Sequence, residues 1–137
     1  MDKHPIQLVY LGIRELFIKS NIPPQPDGQL PELEEGKFRL QTGLTDYDEE
    51  NKAIGVALKL EIGIDDEEEC PFSLRIELYG HFLVDDKKFP KDKIQDWALN
   101  NGPYILMPYM REQVFALTSR CGFQPVILPL TQVPTSK

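Results

Sequence analysis

The sequence predicts an α+β fold, with four antiparallel strands packed on two helices in one domain spanning residues 1–137. Three observations carry that expectation. Ile54, Val56, Leu58, Leu60, Ile62 and Ile64 alternate with small or charged residues, the period of two that marks a strand with one buried face. Phe72, Leu74, Ile76 and Leu78 repeat the pattern, with Ser73, Arg75, Glu77 and Tyr79 on the other face, and Phe82 and Val84 continue it. From Pro108, the residues Met110, Val114, Leu117 and Cys121 instead fall on a 3.6-residue stripe, the signature of a helix with one apolar side.

The first element is the run PIQLVYLGIRELFIK, residues 5–19, rich in β-branched and aromatic side chains, with Gly12 placed to bend it. The next segment, SNIPPQPDGQLPELEEG at residues 20–36, holds four prolines and two glycines, which rules out both a ladder and a helix interior. An extended connection of that length exceeds what joining two strands requires, which points to use. A short strand follows over 37–45. The two alternating runs then pair as a long hairpin, with the acidic stretch Asp65 to Glu69 as its solvated loop and Gly80 as a bulge.

Beyond Pro90, KDKIQDWALNNG reads as a short helix ended by Asn100, Asn101 and Gly102. Pro103 and Pro108 are expected to break the chain into two helical pieces. A proline inside a helix lacks the N–H and presses on the carbonyl four residues back, so Pro108 belongs in the first turn of the main helix. Gly122 is the stop signal, and the tail 123–137, with Pro125, Pro129 and Pro134, should run extended.

Charge and composition exclude several functions. The chain has 15 Lys+Arg against 22 Asp+Glu, a formal net charge of −7, so it offers no basic stripe for nucleic acid. No apolar run nears the ~20 residues that span a bilayer, and the N-terminus lacks a signal-peptide cleavage pattern, so a cytoplasmic location without membrane insertion is expected. Cys70 and Cys121 form no disulfide framework and read as small buried hydrophobes. His4 and His81 sit in no metal-ligand spacing, and no phosphate loop, nucleophile elbow or dinucleotide fingerprint occurs. No metal, no cofactor and no enzymatic activity are therefore expected. What stands out instead is aromatic and apolar surface: Phe17, Phe38, Phe72, Phe82, Tyr104, Tyr109 and Phe123 are spread over elements that cannot all converge on one core.

The stretch NNGPYILMPYMREQVFALTSRCGFQPVILPLTQVP resembles the signature region of the SecB family of export chaperones. The matching residues are Pro103, Ile105, Leu106, Pro108, Tyr109, Arg111, Glu112, Arg120, Gly122, Phe123, Pro125, Leu128 and Pro129. Upstream, IQLVYLGIRELFIKSNIPP is similar to the family's first strand and proline loop. The resemblance implies an ATP-independent chaperone, a homotetramer built as a dimer of dimers, that holds unfolded or preprotein polypeptides in apolar grooves. By alignment the groove positions are Phe38, Leu40, Phe72 and Ile76. The helix bearing Met110, Val114 and Leu117 would contribute to assembly. An outer sheet face including Glu15, Lys19, Arg75 and Glu77 would dock the translocation ATPase SecA.

Two departures bear on that last implication. Lys19 and Arg75 stand where the family's docking surface is acidic, and reversing charge at such a contact weakens it. The family's C-terminal helix is also missing after Pro134. Clients other than exported proteins, such as an antitoxin encoded beside the chaperone, remain open. So do a structural or assembly protein that kept the fold without client binding, and a small-molecule enzyme built on the sheet.

Overall fold

The computed structural model describes residues 2–23, 38–65 and 70–128. Four strands form one antiparallel sheet: β1 (Ile6–Ser20), β2 (Phe38–Leu44), β3 (Ala53–Ile62) and β4 (Phe72–Val84), in the spatial order β1-β4-β3-β2. The proline-rich connection expected over 20–36 falls largely on residues outside the described ones, as do most of the acidic 65–69 loop and the tail beyond 128.

The alternation read from the sequence sets the faces. Val56, Leu58, Leu60 and Ile62 on β3, and Phe72, Leu74, Ile76, Leu78 and Phe82 on β4, are all buried. Lys59, Glu61, Arg75 and Glu77 take the opposite face. Because β3 and β4 pair in register from Ile62↔Leu74 to Ala53↔Leu83, Ile54, Leu58, Leu60 and Ile62 stand opposite Phe82, Leu78, Ile76 and Leu74 on the inner face, while Lys59 and Glu61 meet Glu77 and Arg75 on the outer one.

Gly80 does not mark a bulge, since the β3–β4 register runs through it unbroken. Its role is clearance: a Cβ there would lie 2.9 Å from Leu106 Cδ2, so the glycine lets the helix settle on the sheet. The irregularities lie in β1, between Leu8 and Tyr10 and between Ile13 and Glu15. They flank Gly12.

One continuous helix replaces the expected two. A 3-10 turn (Lys91–Lys93) leads into α1 (Ile94–Arg120), 27 residues long, with Pro103 and Pro108 inside it. The buried stripe explains why the prolines fail to break it. Ile94, Ala98, Gly102, Leu106, Met110 and Val114 follow one another in steps of four across both prolines, with Leu117 three further on, and every one is buried, so the covered face winds gradually round the helix without a gap. Each interior proline costs about 3 kcal/mol. Burying each large apolar side chain returns about 1.5–3 kcal/mol, and that return is available only while the stripe stays continuous. Gly102 is not a stop signal but a contact: a Cβ there would come within 2.7 Å of Val56 Cγ2 on β3.

Gly122 does end the helix. With φ of 92° it occupies the left-handed region, and the amides of Gly122 and Phe123 return to Ser119 O and Thr118 O, the two bonds of a Schellman cap. At the other end Trp97 stacks on His4 with centroids 5.2 Å apart and meets Phe82 and Phe89 edge-on, joining the helix start to the flank of β1. The helix crosses β3, β4 and β2.

Candidate functional site

The cross-strand registers arrange the inner face of the sheet in rows. Leu16, Ile76, Leu60 and Leu40 form one row from edge to edge, and Ile18, Leu74, Ile62 and Phe38 form the next. Along each row the two central residues are sealed under α1 while the edges thin out. Leu16 is 40% exposed and Ile13, paired with buried Leu78, is 49% exposed. The apolar inner face therefore continues past the helix onto a shelf along β1.

The predicted groove residues divide accordingly. Phe38 and Leu40 are half-buried against the core from β2, whereas Phe72 and Ile76 are fully buried. Phe72 lies under the chain's own Phe123, ring centroids 5.6 Å apart. Ile13 and Leu16 were not anticipated. Their signal was present in β1, whose apolar residues occur on both faces instead of alternating cleanly.

Met110, Val114 and Leu117, expected to contribute to assembly, take another place within the chain. All three turn inward and are buried in the chain's own core. The outward side of α1 carries a different stripe: Tyr104, Pro108, Arg111 and Phe115 share a helical phase. Tyr104 and Phe115 are 45% and 46% exposed. Arg111 Nε is buried with no hydrogen-bond partner among the described residues.

On the outer face, the structure gathers the residues assigned to partner docking into a ladder of ion pairs. Arg75 Nε lies 3.2 Å from Glu61 and its guanidinium reaches Glu15 at 3.4 Å. Arg39 pairs with Glu61 and with Asp65 at 2.6 Å, and Arg14 stands 3.7 Å from Glu77. The Arg75 guanidinium also lies over the Phe17 ring, 5.6 Å from its centroid. The hydrogen bond that Arg75 donates to Glu61, then the one it donates to Glu15, pushes its pKa up further. Lys19, opposite Ser73, completes the outer surface of β1.

Towards the other end of that face, a shallow cleft of about 320 Å³ is bordered by Thr45, Asp46, Ile54, Gly55, Tyr79 and His81. Tyr79 lies across Gly55, whose amide donates to Thr45 Oγ1 at 2.8 Å. Beside it, Tyr47 donates to Asp86 at 3.0 Å and Lys52 donates to the same carboxylate oxygen at 2.8 Å. Burial first, then the Asp86 carboxylate, raises the Tyr47 phenol to about 12; the Lys52 ammonium holds Asp86 below the usual carboxylate range. Among the described residues no group of three or more His, Cys, Asp or Glu side chains is placed to hold a metal ion, and both cysteines are free thiols. Among them, too, no helix is long and apolar enough to cross a membrane.

With this geometry the comparisons agree. The sequence matches the family profile described as preprotein translocase subunit SecB over residues 8–132. It is 28% identical to the protein-export protein SecB of Dechloromonas aromatica over 126 residues, covering 85% of this chain and 77% of that protein. It is 32% identical to an uncharacterised protein of Methanocaldococcus jannaschii over 107 residues, covering 74% of this chain and 66% of that one. A SecB-like chaperone of Mycobacterium tuberculosis, solved in complex with a peptide from an antitoxin, superimposes with a TM-score of 0.68. At 19% identity, over 95% of this chain and 93% of the other, that likeness concerns the fold.

Proposed function

The chain belongs to the SecB family, and from that membership we propose that it is an ATP-independent chaperone that holds non-native polypeptide segments on apolar surface. The observation that carries this reading is the inner-face row running from Leu40 to Leu16, whose edge at β1 continues into exposed Ile13. An extended client laid along that shelf meets apolar side chains in every register, so it needs no particular sequence. Burying ~1,000 Å² of client apolar surface at about 25 cal/mol/Å² grosses roughly 25 kcal/mol. Ordering the client and losing its rigid-body freedom cancel most of that, which leaves a hold loose enough to release.

Several shelves on one particle raise avidity through effective concentration. For that reason the reading includes self-association, to a dimer of dimers as the family implies. The outward stripe of α1, with Tyr104, Phe115 and an Arg111 Nε that has no hydrogen-bond partner among the described residues, supports a neighbouring chain there. The location that fits such a role is the cytoplasm.

For clients, the outer face favours a dedicated partner over general export. Glu15, the acidic docking position retained here, is already held by Arg75, so a basic region of SecA would have to break that pair to use it. The Mycobacterium tuberculosis chaperone of the same fold was solved with an antitoxin peptide, which supports a client of that kind. The deciding experiment is light scattering from a reduced, unfolded test protein without nucleotide. Suppression of aggregation is expected at a few-fold excess of chaperone; no suppression would leave only a structural protein of the same fold.

A further inference from the structure

Beyond α1 the chain turns back, and residues 123–128 run extended over the Phe72 end of the core. Phe123 and Leu128 are buried and Val126 is half-buried, while Gln124, Pro125 and Ile127 face solvent, Ile127 at 74% exposure. The anchors are thus spaced three and then two residues apart. Among the described residues the amides of this segment make two hydrogen bonds, and both go to Thr118. Phe123 N–H reaches Thr118 O at 3.1 Å and Val126 N–H reaches Thr118 Oγ1 at 2.9 Å.

The Thr118 hydroxyl is set up to receive such an amide. It is fully buried, and its own proton is directed to Val114 O at 2.8 Å, with Phe115 O at 3.2 Å. Only its lone pairs remain, so it can accept an incoming N–H and do nothing else. A main-chain amide is the one group every residue but proline supplies. Phe72 provides an aromatic floor beside it, and the Phe72–Phe123 pair is tilted by 48°. A segment in no helix or ladder, attached by two hydrogen bonds and a few apolar anchors, belongs to the part of a fold that opens locally before the rest.

We propose that the surface beneath residues 123–128 is a peptide-binding subsite, occupied in the resting chain by the chain's own segment as a tethered competitor. Its ligand is an extended, uncharged segment of another polypeptide. That segment carries an aromatic residue, a β-branched residue three positions on and a leucine two beyond that. Release of the strap exposes Phe72, Thr118 Oγ1 accepts an amide from the incoming chain, and the aromatic anchor takes the place of Phe123. This deepens the chaperone reading and rests on it, and it accounts for groove residues that are buried in the resting chain.

The test uses the full chain and a fluorescent peptide with the sequence of residues 122–128, GFQPVIL. Phe123→Ala weakens the tethered competitor and should tighten peptide binding about tenfold or more, because apparent affinity scales with the fraction of open sites. Phe72→Ala removes the floor and should abolish binding, and a peptide with Ala for Phe should not bind either variant. Should Phe123→Ala fail to fold, amide exchange on the unaltered chain decides. The Val126 amide should exchange at least a hundredfold faster than central β3 amides and become protected when peptide is added. Equal protection, or no gain in affinity for Phe123→Ala, overturns the proposal. Aggregation suppression measured alongside separates the two readings: suppression without peptide binding leaves the chaperone and sinks the subsite, and peptide binding without suppression does the reverse.

Discussion

Arg75 and Glu61, neighbours on adjacent strands, face each other across the outer surface with the guanidinium Nε 3.2 Å from the carboxylate. Arg75 also holds Glu15, and Glu61 also holds Arg39, so two pairs share each charge. Exposed pairs contribute about 0.2–1 kcal/mol each. Arg75→Ala should therefore lower stability only modestly, part of it from lost packing on Phe17, and the loss should shrink in high salt. Urea melts at two salt concentrations check this, and a salt-independent loss would mean that packing alone is at work.

The same ladder bears on docking to SecA, the partner that the family resemblance implies. With Arg75 and Lys19 replaced by acids, Glu15 loses its cation and gains acidic company. The double variant Lys19→Glu, Arg75→Glu should bind SecA where the unaltered chain binds weakly or not at all. Pull-down at low salt reads the gain, and tight binding by the unaltered chain would instead show that the outer face docks SecA by some other route.

Tyr47 and Asp86 give stability two pH limits. Asp86 has a lowered folded pKa, so its contribution is complete above the unfolded carboxylate value and is lost as pH falls through the folded one. Tyr47 is raised to about 12 from 10.0, so the folded state keeps its proton while the unfolded chain ionises. Its contribution is complete below pH 10 and is lost as pH rises towards 12. Tyr47→Phe should cost about 1 kcal/mol at neutral pH for the lost hydrogen bond and should flatten the alkaline limb between those values. Chemical denaturation across pH measures both, and an alkaline limb unchanged in the variant would assign it to another group.

Gly102 is where helix propensity and packing oppose each other. Alanine improves an isolated helix by about 1 kcal/mol over glycine. Here its methyl would stand 2.7 Å from Val56 Cγ2, and overpacking costs about 1–3 kcal/mol. Gly102→Ala should therefore destabilise, and adding Val56→Ala should recover part of the loss. If the single variant melts at a higher temperature than the parent, the helix does not press on β3 at this point.

The sheet was legible because strand signals are local. Period-two alternation in residues 54–64 and 72–84 fixed two strands and their faces, and the SecB-like signature around Pro108 pointed to the family that the comparisons then showed. The helix was misread because propensity is also local, whereas the stripe that overrides it is completed by a sheet distant in sequence. Gly102 looked like a stop signal for the same reason, since nothing in its neighbours discloses Val56. At the site, the self-pairing of Arg75 with Glu15, 60 residues away, required the register of β1 on β4. The bulge between Ile13 and Glu15 that sets this register carries no sequence mark.

The two helix prolines differ in surroundings, which separates backbone cost from packing gain. Pro108 is exposed midway along α1, so its ring gains little from packing while the Tyr104 carbonyl loses its amide partner. Pro108→Ala should stabilise the chain by up to about 3 kcal/mol, a rise of about 2–4 °C in Tm per kcal/mol at this size. Pro103 is buried, so Pro103→Ala gains the amide but vacates core volume and should be close to neutral. Thermal melts of both variants decide the matter. A drop for Pro108→Ala would mean that the helix needs that proline to follow the twist of the sheet, and its cost would then be part of how α1 covers β3 and β4 at once.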